Sequence, residues 1–77
     1  MPVQYTPSQS ELDKIVGPTH VPGLYVVARK NGVIHGGEKA EDQAHILELQ
    51  PILQQSFGNC DEVITIELDD SGNWREV

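Results

Sequence analysis

The spacing of apolar residues changes repeatedly along this chain, and each change predicts a new element. Leu24 to Lys30 and Val33 to His35 are β-rich runs, and the Asn31-Gly32 between them suits the two positive φ angles of a two-residue hairpin turn. Such a turn sets Lys30 opposite Val33, Arg29 opposite Ile34 and Ala28 opposite His35. Gly36-Gly37 is expected to end the second strand.

From Glu38 to Phe57 the period lengthens. At ~100° per residue, Ile46, Leu49, Ile52, Leu53 and Phe57 fall within an arc of roughly 140°, which predicts a core helix. Glu38, Glu41 and Asp42 lie in its first turns, where the helix dipole favours carboxylates. Pro51 removes a hydrogen bond and crowds the carbonyl of Leu47, so a kink or a break into two short helices is expected. Gly58-Asn59 closes the segment.

In the next run, Val63, Thr65 and Glu67 alternate with Ile64, Ile66 and Leu68, the pattern of a strand with one buried face. A loop at Asp70-Ser71-Gly72 then sets Asp69 opposite Asn73, Leu68 opposite Trp74 on the helix side, and Glu67 opposite Arg75 on the wet side. Upstream, Thr6 with Gln9 forms a capping pair and Pro7 suits a first helical position, so a short helix is predicted to run to Val16, where Gly17-Pro18 stops it. A Pro- and Gly-rich loop leads from there to Gly23.

The order α-β-β-α-β-β predicts an α+β fold, a four-stranded, mainly antiparallel sheet made of two hairpins, with the long helix on one face and a short N-terminal helix beside it. All 77 residues belong to one small domain, residues 1–23 forming the N-terminal helix and loop and residues 24–77 the ββαββ core.

Composition narrows the chemistry. Twelve acidic residues against five basic ones give a net charge of -7, which repels nucleic-acid backbones and anionic membranes. No run approaches a membrane span and the start shows no export pattern, so a cytoplasmic location is expected. Cys60 is the single cysteine and has no disulfide partner within the chain.

The candidate sites are few. His35, His45 and Cys60, with Asp61 as a fourth ligand, are the residues able to hold a metal, but their spacing matches no zinc pattern and no metal or cofactor is expected. Cys60 sits beside Asn59, Asp61 and Glu62, which oppose a thiolate nucleophile. His45, at the margin of the helical arc, is expected to be a half-buried residue satisfied by a backbone carbonyl. Gly36-Gly37 ahead of a helix has the outline of a phosphate cradle, but Glu38, Glu41 and Asp42 occupy the place of the anion.

A protein–protein interaction module without catalytic activity is therefore the expected function. Its partner would be another protein or a second copy, met through Tyr25, Val27, Arg29, Ile34, Glu67 and Arg75 at the outer sheet face or edge. Two alternatives stand beside it. One is an inhibitor or decoy of the kind phages and mobile elements carry, whose carboxylates imitate phosphates toward a nucleic-acid-binding enzyme; the other is a small enzyme or ligand-binding domain using His35 and His45 in an oligomer cleft.

Overall fold

A computed structural model describes residues 7–17 and 19–77. The fold is α+β, with two helices and a five-stranded mixed sheet of order β1-β3-β2-β4-β5. The elements are α1 (Gln9–Leu12), β1 (Ile15–Val16), β2 (Gly23–Lys30), β3 (Val33–Ala40), α2 (Gln43–Ser56), β4 (Glu62–Leu68) and β5 (Trp74–Glu76). The four strands expected from the two hairpins are antiparallel neighbours, and β1 adds a short parallel strand against β3.

That fifth strand shortens the predicted first helix. Thr6, its expected cap, lies outside the described residues. Ser8 caps instead, accepting from the Glu11 N–H at 3.3 Å, while Glu11 Oε1 accepts from the Ser8 N–H at 3.0 Å. Ser-x-x-Glu closes a capping box that fixes the first turn here. The β-branched Ile15 and Val16 then leave the helix to pair with Gly37 and Glu38. Glu11 has a second task, because its Oε2 accepts from the Ile34 N–H at 2.9 Å. One carboxylate thus caps a helix and satisfies β3 where the short β1 does not reach.

The first hairpin turns where expected, with φ of 53° at Asn31 and 81° at Gly32. Lys30 faces Val33 and Arg29 faces Ile34, but Ala28 faces Gly36 because a bulge slips the register by one residue. His35 is the extra residue of that bulge. The strand does not stop at Gly36-Gly37; it runs on to Ala40, so Glu38 is in β3, and α2 begins only after Asp42, whose side chain accepts from the His45 N–H at 2.8 Å. An N-cap aspartate outweighs two glycines as a boundary signal. The glycines answer a packing need instead: Phe57 covers Gly36, and the backbone of Val26 lies close to Gly37.

The second hairpin keeps its predicted register, Leu68 opposite Trp74 and Glu67 opposite Arg75, with Gly72 at φ 87°. Its orientation differs from expectation. Two buried clusters flank the sheet. Val26, Ala40, Ile46, Leu49 and Leu53 form one under α2, whereas Trp74 belongs to the other with Leu12, Ile15, Tyr25, Val27, Ile34, Ile66 and Leu68. Trp74 therefore packs on the face opposite α2, and the Glu67–Arg75 pair shares the face that α2 covers. The expectation of a single buried face placed it wrongly, since both faces of β2 are apolar. Tyr25 locks the second cluster, its ring 5.0 Å from that of Trp74 and its hydroxyl donating to the Val21 carbonyl of the preceding loop.

α2 runs through Pro51 as one helix, not two short ones, and Ile52, expected in its buried arc, points outward. No helix among the described residues is long and apolar enough to cross a membrane.

Candidate functional site

The six residues expected to share an interaction surface are divided by the fold. Tyr25, Val27 and Ile34 are fully buried in the Trp74 cluster. Arg29, on that same face, is half-buried and paired with Glu62 and, at 3.6 Å, with Glu76. Glu67 and Arg75 lie on the opposite face, joined at 2.8 Å. A pair this exposed contributes only about 0.2–1 kcal/mol.

The metal and acid–base candidates are also dispersed. His35 is exposed in the bulge, Cys60 is half-buried just before β4, and among the described residues no three His, Cys, Asp or Glu side chains are placed to share an ion. The His45 ring meets a backbone N–H, not a carbonyl. Its Nδ1 accepts from the Glu41 N–H at 2.9 Å, which places the ring proton on Nε2 and adds a second cap to α2. Gly36-Gly37, being mid-strand, offers no loop for a phosphate.

The carboxylates are largely occupied by local structure. Glu11 and Asp42 cap helices, Asp61 accepts from the Asn31 N–H at 3.1 Å, and Asp69 accepts from the N–H groups of Ser71 and Asn73, both at 2.9 Å. Glu62 and Glu76 hold Arg29, and Glu67 holds Arg75. A surface built to imitate phosphates needs carboxylates turned outward in an array, and these seven of the twelve are committed to holding the chain in place.

Asp69 turns this commitment into a pH dependence. The N–H of Asn73, chiefly, and that of Ser71 hold its carboxyl below the ordinary aspartate value. A lowered folded pKa stabilises the fold above the unfolded-state pKa, and that contribution fades as pH falls through the folded one. Asp69→Asn should therefore lower the urea midpoint near neutral pH and match wild type at a pH well below the carboxylate range. A gap that persists in acid would assign the turn's stability to something other than the charge.

Among the described residues, apolar surface stays uncovered at Val16, Val21, Val33 and Val77 and on the outer side of α2. Leu47 is 69% exposed and Ile52 54% exposed, and Ala44 and Pro51 beside them are also exposed. Ala44, Leu47 and Pro51 follow one another at helical neighbour spacing and form an apolar stripe, with Glu48 between it and Ile52. Glu48 is the single charged side chain of the helix, in a chain of net charge -7. Pro51 carries no N–H, so the Leu47 carbonyl loses its usual intrahelical donor on this same exposed side. Apolar side chains and depleted charge coincide on one face with a carbonyl that lacks its i+4 donor.

Sequence reasoning missed this face because Ile52 fits inside the apolar arc and Pro51 reads as an interruption. The available signal was Leu47, an apolar residue on the side of the helical wheel opposite Leu49 and Leu53. Comparison with protein-family models, with curated proteins and with solved structures yielded no significant match in any of the three.

Proposed function

We propose that this protein is an interaction module without catalytic chemistry, and that it engages another protein through the outer face of α2. The observation that carries the reading is the exposure of Leu47 and Ile52 around Pro51 on a helix with one charged side chain. Protein interfaces are depleted of charge at their centres, and Leu47 is the most exposed of the large apolar side chains among the described residues. A proline in mid-helix costs stability that local structure does not recover, and such a departure from local preference marks functional positions. The spread of carboxylates over caps, turns and ion pairs favours this reading over the phosphate-imitating inhibitor, and the separation of His35 from His45 by element and exposure favours it over a histidine-based enzyme.

A photo-crosslinking residue at position 47 should trap one defined protein in cells that make this chain, whereas the same residue at position 70, in the turn between β4 and β5, should not. Leu47→Ser with Ile52→Ser should abolish the product while shifting stability by no more than about 0.5 kcal/mol, the usual range for surface changes. Equal labelling from both positions, or a product indifferent to the double substitution, would remove α2 as the docking face.

A further inference from the structure

We infer that the partner of α2 is basic: a protein segment with an apolar centre and lysines or arginines at its rim. This rests on the docking role of α2 and adds the sign of the charge it recognises. At α2 itself Glu41 and Glu48 are exposed carboxylates, and the helix carries no lysine or arginine in a chain of net charge -7. The five cations lie outside α2, and Arg75, on the face that α2 covers, is held by Glu67. Lys14 follows α1, Lys30 is at the tip of the first hairpin, Lys39 lies over the Tyr25 ring on the face away from α2, and Arg29 is held by Glu62 and Glu76.

The polar groups within the stripe point the same way. Glu48 accepts only, the Leu47 carbonyl has no N–H from Pro51 to meet it, and the last turn of α2 has no basic side chain at its negative dipole end. Acceptors with a negative field around an apolar strip are complementary to N–H donors on a cationic rim. A second copy of this chain would set Glu48 against Glu48 between two chains of net charge -7, and an acidic or phosphorylated partner would also meet like charge, which selects against both.

The test uses the full chain, isotopically labelled, titrated with three synthetic amphipathic peptides that share one leucine stripe and carry lysine, glutamine or glutamate elsewhere. The lysine peptide should bind on the order of tenfold more tightly than the glutamine peptide at low ionic strength, an advantage that salt erodes. Amide shifts should centre on residues 44–55. Glu48→Lys should remove the advantage, and Leu47→Ser with Ile52→Ser should remove binding of every peptide. Equal binding of the three at α2 would overturn the basic partner and leave the docking face standing. Shifts centred away from α2 with every peptide would overturn the docking face too. Concentration-dependent shifts of α2 in the chain alone would assign the face to a second copy and overturn the basic partner.

Discussion

Alanine at position 37 should cost about 3 kcal/mol, the upper part of the usual range for overpacking and a large share of the ~5–10 kcal/mol expected of a domain this small. A Cβ there would sit 2.7 Å from the carbonyl oxygen of Val26 and 2.7 Å from Cγ1 of Val27. Both belong to the paired strand, so relief requires β2 and β3 to part. Gly36 meets a different neighbour, since its Cβ would fall 2.1 Å from Cζ of Phe57. That ring is the end of a side chain and can swing away, leaving a smaller loss of about 1–2 kcal/mol from the burial it gives up. The two cases separate in a Phe57→Ala background, where Gly36→Ala should become nearly neutral and Gly37→Ala should stay as costly as before. Urea midpoints followed through Trp74 fluorescence give the result, since Trp74 is the chain's one tryptophan and is buried against Tyr25. A Gly36→Ala penalty unchanged by loss of the ring would refute the close approach of Phe57 to the sheet.

Pro51→Ala should act in the opposite direction, raising stability by about 1–3 kcal/mol. The interior of a helix disfavours proline by about 3 kcal/mol relative to alanine, and the stiffness that proline gives the unfolded chain returns only about 0.4–1 kcal/mol of that. The substitution restores an N–H for the Leu47 carbonyl without touching the buried side of α2. If the outer face is the docking site, the more stable variant should bind its partner more weakly, because an apolar ring is withdrawn from it. Loss of stability on Pro51→Ala would mean that the ring packs against something the helix needs.

Legibility in the sequence followed the range of the interactions involved. Asn31-Gly32 and Asp69 to Gly72 specify turns through adjacent residues, and both hairpins formed where those residues placed them. Leu68 opposite Trp74 and Glu67 opposite Arg75 follow from the second turn by simple alternation. The bulge at His35 does not, because it depends on a strand partner that the turn leaves undetermined. Ile15 and Val16 read as the end of a helix because their strand partner, at Gly37 and Glu38, is distant in the chain. Trp74 was assigned to the wrong face for a related reason: β2 is apolar on both sides, and periodicity cannot say which side a helix will cover. The outer face of α2 was hidden by Ile52, which satisfies the helical arc as well as Leu49 does but lies at its margin.

The four residues Tyr25 to Ala28 tie the molecule together thermodynamically. Tyr25 and Val27 belong to the cluster around Trp74, and Val26 to the cluster beneath α2. β3 and β4 bridge the clusters in the same way, through Ile34 and Ala40 and through Ile66 and Val63, so each side of the sheet depends on the other. The two sides of the sheet should therefore melt together as one cooperative unit, with fraying confined to α1 and β1, whose hold on the sheet is a two-residue ladder, the Glu11 carboxylate and the side chains of Leu12 and Ile15.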